Sequence, residues 1–415
     1  MTCSNGPWNH SGMDPVKRQY ETYPYPARDP ADEAARLIEG SPSHPVEIDH
    51  FLFQGRRDWS RPFRTLVAGG GTGDGLIMLA QKLADLGCPA EITYLDMSEA
   101  SRAIAEARAK ARKLNINFAT GDLLAAPDLG SFDYIDCCGV LHHLPDPGAG
   151  FQALADALAP DGGMGLMVYA PLGRSGVYPL QEAFGVLLAD LPPAEQVAHA
   201  GATLDTLPEP HPFRRNPILG DHRDSDAGLY DLLLHARDRA YSVAEFCEAL
   251  EGAGLGLVSF LEPARYDPLQ YLPKAEALAA RVKALNATDR MGLAEKLAGN
   301  IKTHVAYVTH AKRASTTEAK PTKPDLVPHI SGVAPQALAR QIHQRGAFTA
   351  TIDGHGFQRT IPRGAAALIA RTDGKTSLGQ MQAGQDWMAF STAWGPVHRA
   401  LTGLNLLHYS TGAGR

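Results

Sequence analysis

The residue types able to do chemistry concentrate in a few short stretches of this chain. In "RTLVAGGGTGDGLIMLA", Arg64 to Ala80, glycines stand at alternate positions, Gly69, Gly71, Gly73 and Gly75, directly after an apolar run. Glycine loses more conformational freedom on folding than any other residue, so such a cluster marks a turn that another group approaches closely. Two carboxylates follow at intervals, Asp96 in "TYLDMS" and Asp122 in "ATGDLL". A carboxylate can accept both hydroxyls of a ribose, or a hydrogen of an exocyclic amine. His142 and His143 in "GVLHHLPDP" titrate near neutrality and can take a proton from an O–H, N–H or C–H nucleophile. Two further groups mix aromatic and basic residues: Tyr20, Tyr23, Tyr25 and Arg28 near the N-terminus, and His235 with Arg237 in "LLLHARDRAYS". Arg237 is suited to hold an acidic substrate group.

These groups need elements to position them. "RTLVAG" reads as a first strand and Gly75 to Leu86 as the helix after it. "EITYLD" is a second strand, followed by the helix "SEASRAIAEARAKARKL" with Ser98 as its N-cap. "INFATGD" and "FDYIDCCGVL" are the third and fourth strands, and a helix from Gly148 to Leu158, stopped by "PDGG", leads to a fifth, "MGLMVYA". Such alternation predicts a parallel sheet covered by helices on both faces. The glycine turn and both acids then fall at the carboxyl ends of successive strands, where open α/β sheets bind their ligands. A dinucleotide does not fit: its G-x-G-x-x-G fingerprint needs glycine at position 74, and Asp74 is a poor neighbour for a pyrophosphate. The spacing G-x-G-x-G suits a ligand without phosphates.

After Tyr169 the rhythm breaks. Residues 171–240 read as a mostly helical insertion, after which the helix "SVAEFCEALEGAGL" and the strands "GLVSFLE" and "KTHVAYVTHA" complete a seven-stranded, doubly wound sheet. Residues 1–60 form an arm or lid in which Asp29 to Glu39 looks helical. Residues 312–326 have linker composition, and residues 327–415 read as a small C-terminal unit. That unit has a helix at "APQALARQIHQRG", a hairpin at "FTATIDGHGFQRTIP" and a last helix running into "LNLLHYS". A cut near Lys312 is therefore expected to leave a folded, ligand-binding remainder.

Of the 415 residues, 44% are hydrophobic and 20% charged, ordinary for a soluble protein, and the net charge of −6 favours neither nucleic acid nor an anionic membrane. The basic residues His343, Arg345, Arg359, Arg363 and Arg371 form no run. Five scattered cysteines without a CxxC point to a reducing compartment and no structural zinc, with Cys137 and Cys138 in the core; no spacing points to a metal site. The N-terminus lacks an apolar signal core and no run is long enough to span a bilayer, so a cytoplasmic location is expected.

In order, Gly69 to Gly75, Asp96, Asp122 and "FDYIDCCGVLHHLPDP" resemble the successive motifs of class I S-adenosylmethionine-dependent methyltransferases, over residues 61–311. More narrowly, "YETYPYPARDP", "VAGGGTG", "GVLHHLPDP" and "DLLLHARDRAYSVAEF" resemble a bacterial YPYP-type group. The C-terminal unit resembles the winged-helix-like regulatory domain of some bacterial protein-lysine methyltransferases. The resemblance implies S-adenosylmethionine held by Gly69, Gly71, Gly73, Asp96, Met97, Asp122, Leu123, Gly139 and, from the lid, Tyr20. It makes His142, His143 and Tyr25 catalytic candidates and Arg28, His235 and Arg237 substrate contacts. The chain departs from the family at Val67, where an acid usually stands two residues before the first glycine. It also lacks the N/D-P-P-Y/F and Pro-Cys motifs of amide-, adenine- and cytosine-methylating enzymes.

The expected activity is methyl transfer to a protein or peptide side chain, because a small-molecule enzyme needs neither the insertion nor the appended unit. A small-molecule O-, N- or C-methyltransferase, favoured by "GVLHHLPDP", is the alternative, and a cofactor-binding regulator without turnover the second. A homodimer is compatible with either. A closed chamber beside His142 would mark a small acceptor; an open groove reaching the C-terminal unit would mark a polypeptide.

Overall fold

The computed structural model describes residues 13–412. Residues 1–12, with Cys3 and the start of the arm, and residues 413–415, the end of the C-terminal unit, lie outside the described residues.

The arm contains α1 (Pro15–Thr22), a 3-10 turn at Pro30–Ala34 and α2 (Pro45–Leu52). The alternating region runs β1 (Phe63–Ala68), α3 (Asp74–Asp85), β2 (Ala90–Asp96), α4 (Glu99–Ala111), β3 (Asn117–Thr120), β4 (Phe132–Cys138), α5 (Pro147–Ala157) and β5 (Leu158–Tyr169). The insertion holds α6 (Val177–Leu187), α7 (Pro193–Thr206), α8 (Asp221–Asp224) and α9 (Asp226–Leu233). The chain returns through α10 (Val243–Gly252), β6 (Leu255–Phe260), α11 (Glu276–Ala284), α12 (Ala287–Ala298) and β7 (Thr303–His310). The seven strands lie in the order β3-β2-β1-β4-β5-β7-β6, and β7 runs antiparallel to both of its neighbours. This is the Rossmann-like methyltransferase sheet expected from the alternation.

Local chemistry explains most boundaries. Ser98 caps α4 by accepting from the Ser101 N–H, and Ser242 with Glu245 forms a capping box on α10. The strands β1 and β4 are almost continuously buried because helices cover both faces. Two expectations are corrected. Residues 29–39 are not a helix beyond Pro30–Ala34, because Glu33 turns inward to the buried Arg108 at 2.6 Å and to Arg112. Nor does "PDGG" stop α5, which ends at Ala157. The pairing of β5 with β4 shifts between Phe132↔Leu158 and Tyr134↔Gly163, so those residues form an irregularity within the strand.

The C-terminal unit comprises β8 (Val327–Ile330), α13 (Pro335–Arg345), β9 (Ala347–Ile352), β10 (His355–Thr360), α14 (Ala366–Ala370), α15 (Leu378–Gln382), α16 (Trp387–Thr402) and β11 (Leu407–Ser410). Asp353 and Gly354, both at positive φ, close the β9–β10 hairpin, and β8 pairs antiparallel with β11. A core around Ile342, Leu378, Phe390, Trp394 and Leu407 holds the unit together.

That unit is fastened to α2 rather than tethered. Asn405 Nδ2 donates to Glu47 at 2.9 Å, Ser410 Oγ donates to Asp49 at 2.5 Å, and the Tyr409 N–H donates to His50 Nδ1 at 3.1 Å. Within residues 312–326, Thr317 and Ala319 hydrogen-bond to the backbone of Gln54 and His50, and Ala319 and Leu326 are buried. A cut near Lys312 would break these contacts to Glu47, Asp49 and His50, which are themselves buried.

Candidate functional site

A cavity of roughly 450 Å³ opens at the carboxyl ends of β1, β2 and β4, a size typical of small-ligand sites. The glycine turn forms its floor, and the groups that approach those glycines belong to the protein. Gly69 sits at φ +72°, where a Cβ would meet Val140 Cγ2 at 2.3 Å. Gly71 sits at φ +51°, with a Cβ position 3.0 Å from the Tyr25 carbonyl oxygen. Gly73 precedes α3 and packs against Ala105, off the cavity wall.

Asp96 lies on the wall, its Oδ2 accepting from the Gly71 N–H and its Oδ1 from the Ser98 N–H, both at 2.8 Å. Burial pushes its carboxyl above the ordinary value against the pull of these N–H donors. Asp122 accepts from the Leu124 N–H at 2.8 Å and shares the wall with Met97, Leu123 and Gly139. Asp96→Ala is expected to weaken S-adenosylhomocysteine binding by about 1.5–3 kcal/mol, through lost charge-assisted hydrogen bonds to the ribose and a loosened Gly71. Calorimetry giving an unchanged affinity would remove Asp96 from the ligand's reach.

The arm covers this floor. Tyr20, Tyr25 and Pro26 line the cavity, Thr72 Oγ1 donates to the Pro26 carbonyl at 2.7 Å, and Glu21 accepts from the Glu99 N–H at the start of α4 at 2.7 Å. Arg28 is off the wall: its Nε and Nη2 reach Asp74 at 2.9 and 2.6 Å, and Arg108 reaches the same carboxylate at 2.7 Å. Burial raises the Asp74 pKa, and the two guanidinium groups overcome that and hold it below its usual range. The acid that disqualifies a dinucleotide thus clamps the arm to the glycine turn.

His143 is on the wall and His142 is not. His143 Nδ1 lies 2.7 Å from the Arg237 carbonyl oxygen, which only accepts, so Nδ1 carries the proton and Nε2 keeps its lone pair. No described residue hydrogen-bonds that Nε2, and burial holds the pKa below 6.5. His142 lies behind, 1% exposed, against the Tyr169 ring, with neither nitrogen hydrogen-bonded.

His235 is also off the wall, stacked on His143 with centroids 3.7 Å apart. Its Nδ1 accepts from the Arg237 N–H at 3.0 Å, so its Nε2–H points to Tyr20 Oη at 3.1 Å. Tyr20 in turn donates to Asp231 at 2.9 Å. His143, Asp231 and His235 have the spacing of a metal ligand set, yet His235 already spends its lone pair on a backbone N–H, so the group works as a hydrogen-bonded chain. Arg237 is on the wall, with its guanidinium on the His143 carbonyl and on Asp14.

Sequence reading missed Ser41, Pro42, Asp136, Tyr169 and Asp231, all on the wall. Only Asp136 carried a signal, as an acid inside the apolar strand "FDYIDCC". Among the described residues every wall residue precedes position 238, so the described part of the C-terminal unit supplies none.

Residues 66–164 match a family model described as a methyltransferase domain. An uncharacterized protein of Synechococcus sp. is 31% identical over 301 residues, 70% of each chain. The ubiquinone biosynthesis O-methyltransferase of Coxiella burnetii is 37% identical over 93 residues, 22% of this chain and 38% of that enzyme. In fold, PKMT2 from Rickettsia typhi in complex with AdoHcy superposes with a TM-score of 0.59 at 13% identity, covering 84% of this chain and 71% of that one. With the seven-stranded sheet and the cavity at its carboxyl edge, these findings place the chain in one family with the Synechococcus protein and give it a methyltransferase domain of Rossmann-like fold, with S-adenosylmethionine as its cofactor.

Proposed function

We propose that the protein methylates an O–H or N–H group of a small molecule, with His143 as general base. The observation that carries this reading is His143, with Nε2 left basic, on the wall of a cavity roofed by the arm and lined by no described residue of the C-terminal unit. S-adenosylmethionine supplies an electrophilic sulfonium methyl. The protein's work is to align a nucleophile, exclude water and remove its proton. As the acceptor's oxygen or nitrogen takes the methyl group, its proton passes to His143 Nε2. The Arg237 carbonyl favours the imidazolium by holding the Nδ1 proton, and Asp231 stabilises it by charge. Asp96 binds the ribose and Asp122 the adenine amine, while Tyr20 and Tyr25 close the site. Arg237 and Asp14 border the acceptor side.

A polypeptide acceptor, the reading that the insertion and the appended unit favoured, loses the second of these supports because that unit packs on α2 and no described residue of it lines the cavity. Incubation with tritiated S-adenosylmethionine and a fractionated lysate of the source organism separates these readings. Label is expected in a low-mass fraction. Label that runs with protein would overturn the small-acceptor reading, and a failure to form S-adenosylhomocysteine with any fraction would favour the regulator.

A further inference from the structure

The chain lacks the acid expected at Val67, yet the cavity does not lack a carboxylate there. Val67 on β1 pairs in register with Asp136 on β4, and paired positions of adjacent strands point to the same face. Asp136 is 5% exposed and lies on the cavity wall beside Gly69, Gly75 and Met78. A side chain at Gly75 would crowd it, since a Cβ would stand 3.2 Å from Asp136 Oδ2.

Like Asp96 and Asp122, and unlike Asp74 and Asp14, Asp136 has no cationic partner among the described residues. Asp74 is held by Arg28 and Arg108, Asp14 by Arg237, and Asp231 by Tyr20 and Tyr169. Asp136 receives the Ser43 hydroxyl, which in turn receives the Tyr134 hydroxyl at 2.8 Å, and no described lysine, arginine or histidine pairs with it. Burial pushes its carboxyl up to about 6 against the Ser43 and Cys138 hydrogen bonds, the mark of a buried acid still without a cation. A buried carboxylate on a cavity wall is stabilised when a ligand brings the missing positive charge.

Sheet order fixes which end of the ligand that is. Acids stand after β3 (Asp122), at the end of β2 (Asp96) and in β4 (Asp136), in the spatial order β3-β2-β1-β4. With adenine toward Asp122 and ribose toward Asp96, the amino acid portion lies over β1 and β4. We infer that Asp136 is the anchor for the methionyl ammonium of the cofactor, an acid moved from β1 to the adjacent strand. Asp136 is a positioning residue: it sets where the sulfonium sits relative to His143 and takes no proton from the acceptor. The inference rests on the cofactor and is independent of the acceptor.

The test compares S-adenosylhomocysteine with 5′-methylthioadenosine, which shares the adenosine and thioether but lacks the amino acid. In full-length Asp136→Asn, calorimetry is expected to show S-adenosylhomocysteine binding weakened at least ~10-fold, the range of a lost charge-assisted hydrogen bond. Affinity for 5′-methylthioadenosine should stay near that of the unsubstituted protein. Equal losses for both ligands, or none for either, would overturn the inference, because a merely structural acid does not distinguish them. If Asp136→Asn does not melt cooperatively, Asp136→Ser takes its place with the same two outcomes. The paired substitution Val67→Asp with Asp136→Val returns the acid to β1 and is expected to restore the preference for S-adenosylhomocysteine; a folded double variant without that preference counts against it. Failure of the unsubstituted protein to bind S-adenosylhomocysteine would instead reject the cofactor.

Discussion

His143→Gln is expected to lower kcat by about 10²–10⁴-fold, the usual contribution of a positioned general base, while S-adenosylhomocysteine affinity stays near its original value. Glutamine can still donate to the Arg237 carbonyl, so the 2.7 Å contact that orients the side chain has a substitute and the lone pair at Nε2 does not. The pH profile distinguishes a base from a packing residue. Burial lowers the His143 pKa from 6.5, so the imidazole is neutral and competent at pH 7 and above. Activity should be flat there and fall as the pH drops through that lowered value, where Nε2 acquires a proton and cannot accept another. The variant should lose this acid limb. His142→Gln should keep it, because neither His142 nitrogen contacts the cavity or a hydrogen-bond partner. A His143→Gln enzyme with an undiminished kcat, or with the acid limb intact, would assign proton removal to another group.

Truncation after Lys312 is expected to abolish cooperative folding or lower the melting temperature drastically. The cut removes Asn405, Tyr409 and Ser410, leaving Glu47, His50 and Asp49 without those partners in α2. Glu47 keeps Ser41 and Tyr307, and Asp49 keeps the Arg57 N–H. Each hydrogen bond lost still removes about 0.5–1.5 kcal/mol, and the cut also uncovers α2, a large share of the ~5–15 kcal/mol by which a typical domain is stable. The loss should also reach the ligand. Glu47 accepts from Tyr307 at 3.0 Å, Tyr307 accepts from the Ser43 N–H at 3.2 Å, and Ser43 donates to Asp136 on the cavity wall. Thermal melts of the truncated chain, with Asn405→Ala and Ser410→Ala in the full-length protein for comparison, measure this coupling. A truncated protein that melts within a few degrees of the full chain and binds S-adenosylhomocysteine normally would show that α2 stands without its C-terminal cover.

Hydrogen bonds thus link the C-terminal unit through α2 to the Ser41–Ser43 turn at the cavity, although no described residue of the unit lies on the wall.

What the sequence alone determined is local. Period-2 and period-3.6 patterning, the Ser98 cap, the glycine spacing and the Asp353–Gly354 turn each act within a few residues, so the strand–helix alternation, the cavity's glycine floor and the acid Asp96 on its wall were legible. The same reasoning placed Asp96 and Asp122 at strand ends, where the sheet leaves them on the cavity wall. Tertiary structure decided what those residues answer to. Which nitrogen of His143 is basic depends on a carbonyl 94 residues away. Arg28 turns from the substrate to Asp74 because Asp74 lies within reach only after the arm folds across the turn. The expected helix over Asp29 to Glu39 shrinks to the turn at Pro30–Ala34, whose Glu33 pairs with Arg108, 75 residues on. The apparent linker became a packed strap, since its composition records flexibility in isolation and not the buried edge of α2 that receives it. The displacement of an acid from Val67 to Asp136 is visible only when β1 and β4 stand in register, because partners brought together by a sheet share no periodicity in the chain.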